Sequence, residues 1–196
     1  MWKHKTPGIP DENFERNEDV PITKEEVRAI QISKARLSSG QTVYDIGCGS
    51  GSISVEAAHQ VESTGKIYAI DFDSKAIELT KKNLEKFGIS NVTTILGNAK
   101  DKISEIPQAD AIFIGGTGGD TKEILELCNN KIKSGGRIVI GIILIETLFS
   151  VLELIKKLNF SSVDITQVTI SKSRKTTTGT MMLARNPVTI ISVTKH

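Results

Sequence analysis

A chain of 196 residues, 38% of them hydrophobic, is long enough to bury one compact core and reads as one domain. Its 25 Lys and Arg against 23 Asp and Glu leave a formal charge of +2, too little to build a field that draws in a polyanion, so bulk charge gives no support to a nucleic-acid partner. Two cysteines and no charged-then-apolar leader point to a reduced, cytoplasmic protein, and the longest apolar run, Ile138 to Ile145, is far short of the roughly 20 residues that span a bilayer and reads as a buried strand.

Residues 1–21 are polar, carry Pro7, Gly8 and Pro10, and show no sustained periodicity. They are expected to form an irregular N-terminal arm, able to cover a site or a partner subunit, ahead of a single domain over 22–196. Thr23 and Glu26 have the spacing of a capping box, and Val27, Ile30 and Leu37 fall at helical intervals as far as Ser38-Ser39-Gly40, which predicts a leading helix. From there short apolar runs alternate with helical stretches, the pattern of parallel strands joined by helical crossovers. Strands are expected at Thr42–Ile46, Lys66–Ile70, Val92–Leu96, Ala109–Ile114 and Arg137–Leu144, with helices at about Ser52–Val61, Ser74–Phe87, Asp120–Lys131 and Glu146–Leu158. Gly40, Gly65, Gly88 and Gly135-Gly136 stand where helices would end in a left-handed residue.

After Phe160 two strands, Ser162–Ile170 and Pro187–Thr194, follow with no helix between them, only the polar stretch Ser171–Arg185. Strands without a crossover pair antiparallel. The fold class is therefore α/β: a doubly wound, Rossmann-like, mostly parallel seven-stranded sheet with a C-terminal antiparallel hairpin. This element order resembles the class I methyltransferase fold.

The strongest motif is Asp45-Ile-Gly47-Cys48-Gly49-Ser50-Gly51, between the first predicted strand and its helix. Glycines there permit a tight turn and close backbone approach to a ligand, and the helix presents free N–H groups, at the strand ends where open α/β sheets take ligands. A pyrophosphate fingerprint needs a third glycine where Ser52 stands, so a dinucleotide is disfavoured. An acid two residues before G-x-G-x-G resembles motif I of S-adenosylmethionine enzymes. Its backbone would wrap the methionine moiety, and the nearby carboxylate suits the ammonium and sulfonium charges. Asp71 closes the second strand, where a carboxylate can accept from both ribose hydroxyls. Gly97-Asn98-Ala99 closes the third; Asn98 replaces the usual acid at the adenine edge, so that contact is assigned to the Ala99 backbone. Cys48 fits a packed turn better than a reactive thiol, and Cys128 reads as core. His4, His59 and His196 are scattered without ligand spacing, so neither a metal nor a histidine base is assigned.

The fourth strand ends in Ile114-Gly115-Gly116-Thr117-Gly118-Gly119, not in the Asn/Asp-Pro-Pro-aromatic segment that stacks an extruded base. The glycines clear space at the floor of the site, suiting a large rigid acceptor. Four segments, Gly8-Ile-Pro-Asp11-Glu-x-Phe14, Pro21-Ile-Thr23-Lys-Glu-Glu-Val27-Arg28, Ile114 to Gly119 and Gly179-Thr-Met-Met-x-Ala184-Arg185-Asn-Pro187-Val188, resemble the decarboxylating cobalt-precorrin C15-methyltransferases of anaerobic cobalamin biosynthesis.

That resemblance implies S-adenosylmethionine as cofactor, methylation of C15 with loss of CO2 from the C12 acetate of a cobalt-precorrin, and usually a homotetramer. It implies cofactor contacts at Thr23, Gly47, Cys48, Gly49, Ser50, Gly51, Asp71 and Ala99, helix capping being a second role for Thr23. Gly115 and Gly116 are candidates for the substrate floor. Arg185, with Lys172, Arg174 and Lys175, is a candidate for the substrate's carboxylates. No residue is singled out as catalytic, because an electron-rich ring carbon can attack a sulfonium methyl when the two are held in line. A methyltransferase acting on RNA or protein is the alternative reading, and a nucleotide-binding oxidoreductase a second.

Overall fold

The computed structural model describes residues 2 and 4–196. Five strands, β1 (Thr42–Ile46), β2 (Lys66–Asp71), β3 (Val92–Leu96), β4 (Ala109–Ile114) and β5 (Ile132–Ile142), run parallel in the order β3-β2-β1-β4-β5. Residues alternate between two cores along each strand, as the two-residue repeat requires. Val43, Ile67, Ala111, Phe113 and Val139 pack under α1 (Glu25–Ala35) and α2 (Ser52–Val61). Tyr44, Ile46, Ile70, Ile112, Ile114, Ile138 and Ile140 pack under α5 (Thr121–Lys131) and α6 (Ile145–Lys157) on the other face. With both faces covered, the strands read as near-continuous apolar runs. α3 (Ser74–Phe87) lies beside α2, and a short α4 (Ala99–Lys102) follows β3.

The chain finishes the sheet with β6 (Ser161–Val168) and β9 (Val188–Thr194); β9 lies between β5 and β6, antiparallel to both. Between them the polar stretch is not a plain loop. β7 (Ser171–Lys175) and β8 (Thr180–Ala184) form a separate antiparallel ribbon, its turn tied by Thr176 N–H to the Gly179 carbonyl at 2.8 Å. Sequence reading passed over it because neither strand has a buried face to impose alternation.

Several boundaries also differ from expectation. The leading helix has no capping box: its N-cap is Lys24, and Asp11 reaches across from the arm to accept the Glu25 N–H at 2.9 Å. A carboxylate at a helix N-terminus satisfies an orphan donor and suits the dipole, so a tertiary cap replaces Thr23. The first two helices are capped by Arg36 and Glu62, not by Gly40 and Gly65, although the second ends at Val61 as expected; of the expected glycine stops only Gly88 caps a helix, in left-handed conformation. β5 begins directly after α5 and so contains Gly135-Gly136. It stops at Ile142, paired with Thr189, because Pro187 has no N–H with which to extend the ladder. The run Ile138–Ile145 is thus half strand and half surface: Ile143, Leu144 and Ile145 are exposed.

Residues 8–22 are folded onto the sheet's α2–α3 side, with Ile9, Phe14 and Val20 buried and a single 3-10 turn at Asp11–Asn13. The fully buried Arg28 anchors them. Its Nε donates to Glu56 Oε1 at 2.6 Å, its Nη1 to Asp11 at 3.3 Å, and its other N–H groups to the carbonyls of Ile9 and Thr23, while Glu56 also accepts from the Gly8 and Ile9 N–H groups at 2.9 Å.

Candidate active site

β1, β2 and β4 end together, since Ile46 is level with both Ile70 and Ile114, and β3 ends beside Asp71. The turn after β1 is pinned from two sides. Gly47 and Cys48 donate their N–H groups to the Ile70 carbonyl at 2.9 and 3.1 Å, and Gly115 donates to the Ile46 carbonyl at 2.8 Å. Gly47 has φ +70° and faces the β4 loop so closely that a Cβ would stand 2.2 Å from the Gly116 oxygen. The Gly49 position presses on the arm instead, a Cβ falling 2.7 Å from the Pro21 oxygen, while Ser50 N–H donates to that same oxygen at 3.2 Å. The glycines therefore let three backbones meet: turn, β4 loop and arm.

In front of this turn lies a shallow cleft open to solvent, lined by Gly47, Asp71, Phe72, Ala99, Gly116 and Thr117 among others. Asp71 Oδ2 accepts from Gly49 N–H at 2.9 Å and Oδ1 from Asp73 N–H at 3.0 Å. Each oxygen keeps a lone pair for a ligand hydroxyl, so the carboxylate both braces the turn and offers acceptors at the cavity wall. Ala99 opens α4, and as its first residue carries an N–H without an intrahelical acceptor. Asn98 spends its amide oxygen on capping α4, accepting from Lys100 N–H at 2.9 Å. A ligand with a diol, a polar ring edge and an apolar surface fits these groups.

Not every residue of the motif reaches the cavity. Cys48, Gly49, Ser50 and Gly51 form the back of the turn and do not line it. The Cys48 thiol is buried against the Thr80 hydroxyl at 3.5 Å, and burial pushes its pKa up, which keeps it an unreactive thiol. Asp45 also faces away, contrary to the reading that placed its charge near a cationic ligand. It accepts from the Ser54 hydroxyl at 2.5 Å beneath α2, and burial, with the neighbouring Asp71 charge adding, pushes its carboxyl up to about 6 against the hydrogen bonding from Ser54. Thr23 lies behind the turn, outside the cavity lining, its carbonyl held by Arg28.

On the acceptor side, Gly116 lines the cavity and has nothing within 4 Å of a notional Cβ, whereas Gly115 is engaged with β1. Arg185 lies at the entry to β9 and is not free: Nη1 is 3.5 Å from Glu26 and 4.0 Å from Asp11. Lys172 is paired more tightly, 2.6 Å from Glu26 and 3.1 Å from Glu25. Phe72, Thr117 and Ile124 line the cavity without having been singled out. Phe72 had a signal, an aromatic side chain immediately after the acid that ends β2; Ile124 had none, being one of many apolar residues on α5. Lys100 bridges to Asp120 at 3.0 Å and Glu123 at 3.3 Å, tying α4 to the glycine-rich floor.

The fold and the chain-long sequence pattern are shared with known proteins. A family model described as a precorrin methyltransferase domain matches residues 12–195. A protein of Saccharolobus solfataricus named as a probable cobalt-precorrin-6B C(15)-methyltransferase (decarboxylating) is 49% identical over 193 residues, 97% of each chain. The crystal structure of precorrin 8W decarboxylase from Methanobacterium thermoautotrophicum superposes with a TM-score of 0.88 at 38% identity, covering 94% of this chain and 98% of that one. The precorrin-6y C5,15-methyltransferase of Geobacter metallireducens gives 0.89 at 33% identity over 97% and 98%. With a family match over nearly the whole length and close relatives covered end to end, the chain belongs to the precorrin methyltransferase family.

Proposed function

We propose that this protein transfers the methyl group of S-adenosylmethionine to C15 of cobalt-precorrin-6B and releases CO2 from its C12 acetate side chain, in cobalamin biosynthesis. The observation that carries the reading is the length of the match: 193 residues aligned with a protein of that name take in arm, floor and terminal strands as well as the turn any relative would share. S-adenosylmethionine supplies an electrophilic methyl on a sulfonium.

The residues present fit that cofactor. Asp71 would take the ribose hydroxyls, Ala99 N–H the adenine edge, and Gly47 at the front of the turn the methionine moiety, with Cys48 to Gly51 and Thr23 shaping the turn from behind. Gly115 and Gly116 would leave the floor clear for the macrocycle, and Arg185 would receive one of its carboxylates. The chain's part in catalysis is to hold donor and acceptor in line and exclude water, with no residue assigned as a base. Cytoplasmic placement accords with the reduced thiols. A homotetramer accords with the resemblance and with the exposed apolar side chains of Met181, Met182 and Leu183 on β8 and Val163 and Ile165 on β6.

Mass spectrometry of cobalt-precorrin-6B incubated with protein and S-adenosylmethionine tests the reading. A product that has gained CH2 and lost CO2 is the expected result. Cofactor binding with unchanged precorrin would direct attention to RNA and protein acceptors.

A further inference from the structure

Four large apolar side chains stand exposed in one short stretch: Ile143, Leu144, Ile145 and Phe149 are each 64–66% accessible. They occupy the exit of β5 and the first turns of α6, with Ile145 and Phe149 four residues apart on one helix face. Their position relative to the cavity follows from register. Ile140 is level with Ile114, so β4 leaves the sheet into Gly115-Gly116-Thr117 while β5 runs on beside it for two more residues and leaves after Ile142 into Ile143-Leu144. Gly116 and Thr117 line the cavity. On the far side Ile142 faces Thr189, which brings the Arg185-Asn186-Pro187 entry of β9 to the same edge. The apolar ledge thus shares one edge of the sheet with the cavity on one flank and with the chain entry to β9, which carries Arg185, on the other.

We infer that this ledge, led by Phe149 and Ile145, is the platform that receives one face of the tetrapyrrole and sets which ring edge is presented to the donor; this rests on the function proposed above. The floor beside it is glycine and offers little apolar contact, so affinity for a flat conjugated ring has to come from neighbouring side chains. The ring's chemistry matches the layout, with apolar faces for the ledge and carboxylates around the rim for Arg185. Ligands of open α/β sheets also gather at this edge of the sheet.

The test is calorimetric titration of wild type, Ile145→Gln/Phe149→Gln and Phe149→Trp with cobalt-precorrin-6B in the presence of S-adenosylhomocysteine, with assembly mass measured by light scattering. Both sites are exposed and glutamine keeps the helix. The double variant is expected to lose roughly tenfold or more in precorrin affinity. Its affinity for S-adenosylhomocysteine and its assembly mass should be unchanged, and Phe149→Trp should bind as wild type does. Equal precorrin affinity in wild type and double variant would overturn the ledge while leaving the function intact. A weaker affinity accompanied by a smaller assembly would reassign these residues to a contact between copies and overturn the inference. Wild type that fails to bind the precorrin at all would remove the function and the ledge together.

Discussion

Behind the glycine-rich turn, charge is buried and answered: Arg28 is inaccessible, gripped by Glu56 at 2.6 Å and by Asp11, with the Phe14 ring 4.8 Å from its guanidinium carbon. In front, at the β4–β5 exit, the surface is the reverse, with bare glycine, exposed Ile143 to Ile145 and Phe149, and one surface cation, Arg185, held at longer range. The first arrangement fixes a backbone shape before any ligand arrives, since the arm's Pro21 carbonyl and the Ile70 carbonyl hold the turn between them. The second leaves apolar area in water that a large flat ligand would cover. On the proposed function, a cofactor common to many enzymes would have a rigid seat, and the distinguishing substrate an open one.

Removing the buried cation is the largest available blow to this contrast. Arg28→Met strands Glu56 and Asp11 without their partner, a loss of about 3–5 kcal/mol for a buried pair broken on one side. Urea unfolding should show it, and S-adenosylhomocysteine should bind more weakly because the arm no longer presses on the turn. A stability change below about 1 kcal/mol would mean that the arm does not depend on this anchor. Next in size is Gly47→Ala. Left-handed backbone costs a residue with a Cβ roughly 1–2 kcal/mol, and the 2.2 Å approach to the Gly116 oxygen adds displacement of backbone that cannot swing aside. Gly116→Ala sharpens the point, because its Cβ would meet nothing within 4 Å. Its stability should stay near wild type, and any effect should fall on ligand binding.

Asp45 makes the rigid side sensitive to pH. Burial raises its carboxyl from 3.8 to about 6 in the folded chain, so the folded state holds the proton more tightly than the unfolded one. Stability from this group is fully present below pH 4 and is lost as pH rises through 6, with a span of roughly 3 kcal/mol for a shift of about two units. Asp45→Asn keeps an acceptor for Ser54 and removes the titration. The wild-type minus Asn difference in unfolding free energy should therefore fall between pH 4 and pH 6.5 and be flat above. A difference that is level across that window would place the Asp45 carboxyl in contact with water.

Strands β1 to β4 were legible almost to the residue because each is a short run rich in β-branched and apolar residues bounded by turn residues. Gly47, Asp71 and Ala99 could be assigned to one place for the related reason that each ends a strand, and parallel strands end together. What escaped depends on distance in the chain. Asp11 caps α1 from fourteen residues upstream, and nothing in the local pattern of Thr23 and Glu26 reveals that a better acceptor is near. The direction of Asp45 is set by the packing of α2, not by its spacing from the glycines. β7 and β8 pair outside the core, so their sequence lacks the alternation that burial imposes, and Met181-Met182-Leu183 reads as a strand only once its exposed apolar row is seen.

The smallest expected effect on stability lies on the open side. Arg185 is about one-third accessible and its contacts with Glu26 and Asp11 are long, at 3.5 and 4.0 Å, so Arg185→Ala should change unfolding by no more than about 1 kcal/mol, the range of surface ion pairs. Its effect on ligands should be selective. Long contacts leave guanidinium donors uncommitted, whereas Lys172 is already closed on two glutamates at 2.6 and 3.1 Å. Loss of Arg185 should weaken cobalt-precorrin binding severalfold and leave S-adenosylhomocysteine binding untouched, and Lys172→Ala should do neither. Equal precorrin affinity in Arg185→Ala and wild type, measured by the same titration, would remove Arg185 from the substrate rim and assign it to holding the β9 entry against α1.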